Sequence, residues 1–338
     1  MKALKRLLIV LGVLCFILIV LQIIPPKKAI ENNPFIINEG ERPLIAAHRG
    51  GKTLNPENTF KAMDFSVENY NIDIIELDLC LTKDKYLILN HNSTLNSTTD
   101  VEDYTNSKEP YYISDHTLEE IQKLNFGYFF EKDGQRIYKD LLQNVSDQNR
   151  SKVLFENDLR VVTVEELFDK YAESDLLFIM EIKDEGARGL EATDILCSLL
   201  KKYRIVDRVA IGTFHGEVEK KLDEDYPLYM KGASMVGAAK FIVTQMLLVN
   251  IFDNSSFTCL QIPTHYDLED LIGINGTLRL DKKTYIDRAH RRNISVQFWT
   301  INDKEEMREL IELGADVIMT DSPDVLYDLL IEMGYRIE

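Results

Sequence analysis

Cysteine is scarce in this 338-residue chain, which contains only four. One lies in an apolar run near the N-terminus, and the other three, Cys80, Cys197 and Cys259, are widely spaced with no CxxC pair. An odd number at such spacing argues against a disulfide framework. We therefore expect these three side chains to be buried, apolar thiols.

Positive charge is also in deficit, with 39 Lys and Arg against 56 Asp and Glu and a formal net charge of −17. Phosphate backbones and anionic lipid surfaces need a basic footprint on the protein that binds them. The charge balance therefore predicts no nucleic-acid partner, and it argues against an anionic lipid surface as the principal partner.

A single long apolar run opens the chain. Residues 7–24 read LLIVLGVLCFILIVLQII and are interrupted only by Gly12 and Gln22. As a helix this run would be about 27 Å long, close to the hydrocarbon thickness of a bilayer. A cleaved secretory signal is the alternative, but the run is longer than the apolar region of a typical signal, and the Pro25-Pro26 that follows offers no cleavage site.

We expect residues 1–28 to form an uncleaved transmembrane anchor, residues 29–42 a linker, and residues 43–338 the catalytic domain. Basic residues before the apolar run slightly outnumber those after it, which favours an N-terminus in the cytoplasm. The expected localisation is therefore the cell membrane, with a single pass and the catalytic domain outside the cytoplasm.

Short β-branched runs alternate with helical patterns through most of the chain. The strand-like runs are 44–48, 73–79, 176–182, 209–213, 228–233, 260–263, 295–300 and 316–321. The helical patterns are 59–69, 163–172, 190–203, 217–222, 238–250, 284–292, 304–313 and 323–333. Eight successive βα units predict an α/β fold, a (β/α)8 TIM-type barrel. An open doubly wound sheet is the alternative, but no glycine-rich phosphate loop follows the first strand.

Two segments interrupt this alternation. Residues 92–160 form a polar insertion after the second strand, with one amphipathic stretch at 116–125. We expect it to shape a substrate entrance, with a surface elaboration that has no such role as the alternative. Residues 234–252 are apolar but contain Lys240 and Gln245. We expect them to form an outer barrel helix packed on the sheet, with a helix that touches the membrane as the alternative.

Acidic side chains recur where the predicted strands end. Glu76 and Asp78 are two apart in a strand and so face the same side, and Glu181 ends the next strand. In a barrel, the carboxyl ends of the strands carry the active site. Three carboxylates with no thiol suit Mg²⁺ or Ca²⁺ better than Zn²⁺. Because buried carboxylates repel one another, such a cluster also implies a counter-charge.

Histidines and cations occur beside these acids. His48 ends the first predicted strand and His91 follows the second, so an acid/base pair is available. Arg49 and Lys183 offer donors for phosphate oxygens. Together the residues indicate a metal-assisted cleavage of a phosphodiester. We expect the other four histidines, His116 among them, to be structural.

Seven short motifs occur in order along the chain. They are HRG at 48–50, PENT at 56–59, ELD at 76–78, His91, EIK at 181–183, WTIN at 299–302 and GADVIMTDSP at 314–323. Over about residues 43–334 they resemble the signatures of the glycerophosphodiester phosphodiesterase family, within the phospholipase-C-like phosphodiesterases. The resemblance implies a (β/α)8 barrel that hydrolyses glycerophosphodiesters to glycerol 3-phosphate and an alcohol.

The resemblance also implies a role for each matching residue. By similarity, Glu76, Asp78 and Glu181 bind a divalent metal ion, Ca²⁺ or Mg²⁺, while His48 and His91 are the acid/base pair. Substrate binding would fall to Arg49, Glu57, Lys183 and Trp299, the last as an apolar wall. The substrate would be a small glycerophosphodiester or a related lipid or polymer headgroup.

Two positions depart from the family pattern. Asn92 replaces the usual aspartate after the second histidine, and Ser97 replaces the usual arginine a few residues later. An amide can still hydrogen-bond an imidazole but supplies no negative charge, so His91 is expected to be a weaker base.

Two other functions remain compatible with these motifs. A phospholipase-like lyase would release a cyclic phosphate, because a substrate hydroxyl could replace water as the nucleophile. A non-catalytic binding module tethered to the membrane would be expected to have lost a ligand or a histidine.

Overall fold

Eight parallel strands form a nearly closed barrel in the computed structural model, which describes residues 2–267, 269 and 275–337. In chain order the barrel strands are β1 (Leu44–His48), β2 (Ile74–Leu81), β3 (Leu177–Ile182), β4 (Val209–Thr213), β5 (Met230–Lys231), β6 (Cys259–Ile262), β7 (Ser295–Phe298) and β8 (Val317–Thr320). Each pairs with its neighbours in sequence except at the seam between β5 and β6, and β8 returns to β1. A strand is present at each of the eight predicted positions, and the TIM-type barrel is confirmed.

Helices cover the outside of this barrel. The helices of the described residues are α1 (Lys2–Ile23), α2 (Phe60–Tyr70), α3 (Val101–Thr105), α4 (Leu118–Ile121), α5 (Asp147–Glu156), α6 (Val164–Tyr171), α7 (Gly186–Tyr203), α8 (Gly216–Asp225), α9 (Met235–Met246), α10 (Lys283–His290), α11 (Lys304–Leu313) and α12 (Pro323–Glu332). One outer helix follows each barrel strand. After β2 this helix is α6, and α3, α4 and α5 come between them in the chain.

Local sequence explains where several of these helices begin and end. Thr163 and Glu166 form a reciprocal capping box at the start of α6. Asp303 accepts hydrogen bonds from the first turn of α11, and Gly314 ends that helix with a φ of 81°, a conformation that glycine adopts without strain.

The barrel closes at a narrow seam between β5 and β6. Gly232 and Cys259 form an isolated parallel bridge there, so β5 is only two residues long although 228–233 was predicted. A Cβ atom at Gly232 would lie 2.3 Å from the side-chain oxygen of Gln261. The absence of a side chain at Gly232 therefore leaves space for the Gln261 side chain beside this bridge.

Apolar side chains form two separate layers. The inner layer fills the barrel and includes Ala46, Ile74, Ile179, Val317 and Met319. The larger outer layer lies between the strands and the helices. Because alternate residues of a strand face opposite sides, the strands contribute to both layers and read as continuous apolar runs. Cys80, Cys197 and Cys259 are free and buried, as expected.

The insertion starts from the carboxyl end of β2. A short strand, Leu87–Leu89, pairs antiparallel with β2, and α3, α4, α5 and a hairpin of Glu131–Lys132 with Gln135–Arg136 follow. The amphipathic stretch at 116–125 is helical only over α4. Beyond it, the Asn125 N–H donates to the Asp100 carboxylate at 2.7 Å.

Residues 29–42 lie against the amino-terminal end of the barrel. Phe35 is fully buried and packs on the inner apolar layer, and Ser295 Oγ donates to its carbonyl at 2.8 Å. The segment thus closes the bottom of the barrel.

Helix α1 is long and apolar enough to cross a membrane. Its window Leu4–Leu21 has a mean hydropathy of 2.7, and none of it is buried against the rest of the protein. A signal sequence near an N-terminus meets the same test of length and composition, so membrane anchoring stays a prediction.

A buried ion pair joins Arg292, which precedes β7, to Asp253, which precedes β6. Arg292 Nη1 lies 2.6 Å from Asp253 Oδ2, and both side chains are inaccessible to solvent. The same guanidinium donates to the carbonyls of Ser255 at 2.7 Å and Lys27 at 3.2 Å.

We expect Arg292→Met to lower the free energy of unfolding by about 3–5 kcal/mol, because it leaves the Asp253 carboxylate buried without its partner. The matched control is Lys283→Met, which removes an exposed pair with Asp287 and should cost less than about 1 kcal/mol. Urea denaturation followed by circular dichroism measures both, and equal losses would contradict the assignment.

Candidate active site

Strand register brings the predicted site residues together. His48 on β1 is the register partner of Glu76 on β2, and Asp78 is the partner of Glu181 on β3. Glu76 and Asp78 face the same side because they are two apart. Asp321 follows β8, which pairs with β1 so that Ala47 opposes Thr320. The carboxyl ends of four adjacent strands therefore contribute to one site.

Glu76, Asp78 and Glu181 form a cluster of carboxylates. Each offers one oxygen, and these oxygens all lie within 4.8 Å of one another. Burial and the neighbouring Asp78 raise the pKa of Glu76 to about 7. Burial also raises the pKa of Glu181, although Lys183 opposes the change. The cluster is thus a place of concentrated negative charge in a poorly solvated environment.

Arg49 and Lys183 supply the counter-charge that the sequence implied. Arg49 Nε lies 3.3 Å from Asp78 Oδ2, and its backbone N–H donates to Glu76 Oε2 at 2.9 Å. Lys183 Nζ donates to Glu181 Oε1 at 2.8 Å and lies 3.5 Å from Asp78 Oδ1. Burial lowers the pKa of Lys183, but Glu181 and Asp78 outweigh it and hold the pKa above its usual value.

Glu57 lies on the other side of Arg49 from the cluster. Arg49 Nη1 donates to both of its carboxylate oxygens, at 3.1 and 3.2 Å. Arg49 itself has a φ of 52°, in the left-handed region that a non-glycine residue seldom adopts. This conformation turns its N–H towards Glu76 while the guanidinium spans the space between Asp78 and Glu57.

His48 is held by Asp321. His48 Nδ1 lies 2.5 Å from Asp321 Oδ1, and His48 Nε2 lies 3.8 Å from Glu76 Oε2. Burial lowers the pKa of His48, but Glu76 and Asp321 together raise it above its usual value. Because a carboxylate only accepts, Nδ1 donates, and Nε2 is left for proton transfer on the cavity side.

Two further side chains position Asp321. Asn302 Nδ2 donates to Asp321 Oδ2 at 2.9 Å, and Lys52 Nζ lies 3.2 Å from the same oxygen. Burial raises the pKa of Asp321, but the hydrogen bond and charge of His48 bring it below its usual value. Asp321 is therefore an anion in this network.

His91 is held in the same way by a neutral partner. His91 Nδ1 lies 2.9 Å from Asn92 Oδ1, and Asn92 Nδ2 donates to Ser97 Oγ at 2.9 Å. The two departures from the family pattern are therefore in contact with each other. Burial lowers the pKa of His91 below its usual value.

These residues line a cavity of about 170 Å³ at the carboxyl ends of the strands. Its wall includes His48, Arg49, Glu76, Asp78, His91, Glu181, Lys183, Phe214 and Trp299. Phe214 and Trp299 are in contact, with ring centroids 6.3 Å apart, and give one side of the cavity an apolar surface. All the predicted site residues except Glu57 contribute to this wall. Glu57 accepts hydrogen bonds from Arg49, which is part of the wall.

Sequence reasoning did not find the bond between His48 and Asp321. Asp321 is one of the polar residues at the ends of the predicted strands and lies within a quoted motif, but it was given no role. Lys52 and Asn302, which contact Asp321, were not selected, although Asn302 lies within another quoted motif. Their importance depends on contacts between loops.

The residues present fit a divalent cation. Three oxygen donors converge, two of them are almost inaccessible to solvent, and the raised pKa of Glu76 reports their mutual repulsion and burial. Carboxylates without thiols are the donors that hard ions such as Ca²⁺ and Mg²⁺ prefer. The described residues thus supply a ligand set that a positive ion would complete.

Comparison with known proteins gives a consistent result. A model described as the glycerophosphoryl diester phosphodiesterase family matches residues 48–325. A glycerophosphodiester phosphodiesterase of Caldanaerobacter subterraneus subsp. tengcongensis is 26% identical over 292 residues, covering 86% of this chain and 99% of that protein.

Solved structures share the fold. The glycerophosphoryl diester phosphodiesterase domain of a Mycobacterium tuberculosis protein gives a TM-score of 0.66 at 17% identity, covering 86% of this chain and 100% of that one. An Oleispira antarctica phosphodiesterase in complex with sn-glycerol-3-phosphate gives a TM-score of 0.60 at 18% identity, covering 86% and 97%.

We expect Ca²⁺ or Mg²⁺ to raise the free energy of unfolding, because a ligand bound only by the folded state stabilises it, by about 2.7 kcal/mol at one hundred times its dissociation constant. Asp78→Asn should lose this gain while remaining folded without the ion, since it relieves repulsion in the cluster. Thermal and urea unfolding with and without the ion measure the effect. Glu119→Gln, on an exposed acid outside the cluster, is the control, and an undiminished gain in Asp78→Asn would refute the site.

Proposed function

This chain belongs to the glycerophosphoryl diester phosphodiesterase family and is a phosphoric diester hydrolase, and from that premise we propose that it hydrolyses glycerophosphodiesters to glycerol 3-phosphate and an alcohol with the help of a divalent cation. The observation that carries the proposal is the convergence of three carboxylates, two of them buried and one partly buried, beside a histidine that is itself fixed by a carboxylate. The product bound to the Oleispira antarctica phosphodiesterase supports the same class of substrate.

Charge is arranged to receive a phosphodiester. Glu76, Asp78 and Glu181 would hold the ion, Ca²⁺ or Mg²⁺, which when bound supplies a Lewis acid for the phosphate. Arg49 and Lys183 adjoin the same carboxylates and would donate to the non-bridging oxygens, Arg49 through its planar guanidinium. Glu57 keeps that guanidinium oriented, and Trp299 supplies an apolar wall for the substrate.

Two histidines are placed to move protons. Each has its Nδ1 held by a side-chain oxygen, from Asp321 for His48 and from Asn92 for His91, so each leaves Nε2 for the reaction. One accepts a proton from the attacking water, and the other donates a proton to the leaving alkoxide. Because both line the cavity, they can serve as the acid/base pair for one bound phosphate.

The N-terminal helix supplies the proposed location. As a single-pass anchor, α1 would hold the barrel at the cell membrane on the extracytoplasmic side. The substrates within reach there are deacylated lipid headgroups and related polymers of glycerol phosphate. The acidic composition gives no support for a nucleic-acid partner.

We expect a chelator to abolish hydrolysis of glycerophosphocholine and glycerophosphoglycerol, and Ca²⁺ or Mg²⁺ to restore it, because the carboxylate cluster needs the ion to accept an anionic substrate. ³¹P spectroscopy follows the products. Full activity in chelator would refute the metal requirement, and a cyclic phosphate as the final product would show a lyase.

We expect His48→Ala and His91→Ala each to lower kcat by at least about 100-fold, the usual contribution of general acid–base catalysis. His116→Ala is the matched control, since His116 stacks on Tyr111 in the insertion and should leave kcat within about twofold. Thermal unfolding checks that all three variants are folded. Turnover at the wild-type rate in either active-site variant would remove that histidine from the mechanism.

A further inference from the structure

Helix α9 exposes an apolar face to solvent. The residues on this face recur at helical spacing and are, in order, Val236, Ala239, Lys240, Val243, Met246 and Leu247. Val236 is 79% exposed, and Leu247, just after the helix, is 62% exposed. On the opposite side, Phe241 and Ile242 are buried against the barrel. α9 is therefore an outer barrel helix whose outward face lacks the polar residues that such a face usually carries.

The neighbouring helix α8 shows what an outer helix of this barrel carries where it meets water. Its exposed side chains include Glu217, Lys220 and Glu224, and Lys220 lies 3.8 Å from Glu224. In α9 the single charged residue is Lys240. Soluble proteins seldom leave a contiguous apolar surface uncovered, so the outward face of α9 marks a contact with another apolar phase or molecule.

The connection from α1 to the barrel is short and bonded along its length. The Ile24 carbonyl, one residue beyond α1, accepts from Arg291 Nη2 at 2.9 Å. The Lys27 carbonyl accepts from Arg292 Nε at 3.2 Å, and the Ala29 N–H donates to the Arg292 carbonyl at 2.7 Å. The barrel is thus held directly at the end of the candidate membrane helix, with the end of α10 beside it.

The segment after α9 meets α1 as well. The turn Asn250–Phe252 contacts α1, and Phe252 is 69% exposed. From this turn the 12 residues of α9 extend back by about 18 Å to the rim of the active site, where the helix begins after β5. The apolar face of α9 is therefore continuous with the candidate membrane helix at one end and with the active-site rim at the other.

The charge of the protein restricts what this face can bind. With a formal net charge of −17, general electrostatic attraction does not draw the protein to an anionic surface. Burial of apolar side chains needs no such attraction. Lys240 can keep its ammonium group among lipid headgroups while its stem lies against hydrocarbon. A second copy of the chain fits less well, because the bonds to Ile24 and Lys27 hold this side of the barrel against the bilayer that α1 would cross.

We propose that the outward face of α9 docks on the surface of this bilayer as an interfacial helix, with its apolar side chains below the headgroups. The inference rests on the proposed function, in which α1 is a membrane anchor, and it adds the orientation of the barrel. The barrel lies on the side formed by α9. The rim beside Phe214, which is 52% exposed and shares a cavity wall with Met235, is then held at the level of the headgroups.

The test measures the depth of single side chains in the bilayer. Val236→Cys and Leu247→Cys, at the two ends of the face, are labelled with an environment-sensitive fluorophore in the full-length chain. The background carries Cys15→Ser, and the other native cysteines are buried. The protein is placed in phosphatidylcholine vesicles with and without lipids that carry a nitroxide on the acyl chain. The nitroxide should quench both labels at least about twofold, because an interfacial helix buries its apolar face at the boundary of headgroups and acyl chains.

Ile331→Cys is the matched control. Ile331 is an apolar residue of α12 that is 50% exposed, and α12 follows β8, three strands further round the barrel than β5. Its label should stay in water and show no quenching. In a second variant, Val243→Glu with Met246→Glu should abolish quenching at Leu247 while the protein still floats with the vesicles, because charges on the face oppose its burial.

Flotation and hydrolysis of glycerophosphocholine are measured on the same vesicles. Active, vesicle-bound protein in which the Val236 or the Leu247 label is unquenched would overturn the inference and leave the proposed function standing. Equal quenching at Ile331, or self-quenching between labels of two copies in place of nitroxide quenching, would overturn it as well. Active protein that does not float would overturn the anchor and the inference together. Quenched α9 labels without hydrolysis would count against the proposed reaction and support the docking.

Discussion

The burial of like charges at one point is the constraint on which the site depends. Four carboxylates, those of Glu57, Glu76, Asp78 and Glu181, contact one another or the same two cations, Arg49 and Lys183. Removing such charges from water costs several kcal/mol each unless they are neutralised. The two cations balance only two of the four negative charges, so two negative charges remain. This excess agrees with the raised pKa of Glu76. A divalent ion supplies that difference, so the electrostatics of the protein and the chemistry of the substrate call for the same ligand.

The two histidines are held by the same geometry but by partners of different charge. His48 Nδ1 is bound by the negatively charged carboxylate of Asp321, whereas His91 Nδ1 is bound by the neutral amide of Asn92. Burial lowers the pKa of both imidazoles, but at His48 the charges of Glu76 and Asp321 reverse the effect and raise its pKa, whereas at His91 burial prevails although the Asn92 hydrogen bond opposes it. Ser97 completes the neutral arrangement by accepting from Asn92. Two neutral polar residues, Asn92 and Ser97, thus hold the His91 ring.

Much of this arrangement could be predicted from the sequence, and the parts that could not depend on contacts between distant segments. The carboxylate cluster could be predicted from two features of the sequence. Glu76 and Asp78 are two apart in one strand, and Glu181 lies at the end of the next strand. The bond from His48 to Asp321 needed the pairing of the first strand with the last, which exists only once the barrel closes. The predicted length of β5 was wrong, because only Met230–Lys231 form the strand and Gly232 makes an isolated bridge to Cys259 across the seam.

Barrel closure also divides the site into two halves of different polarity. The ionisable groups come from the ends of β1, β2, β3 and β8, which are neighbours, while the apolar wall comes from the ends of β4, β5, β6 and β7. Grouping the charges lets each carboxylate share its cations, and it keeps them away from hydrocarbon, where their desolvation would be uncompensated. Trp299 and Phe214 stand at the boundary and line both the catalytic cavity and an apolar cavity of about 240 Å³ beside α9. The apolar half therefore lies on the side of α9, so the charged groups are turned away from the surface that we assign to the bilayer.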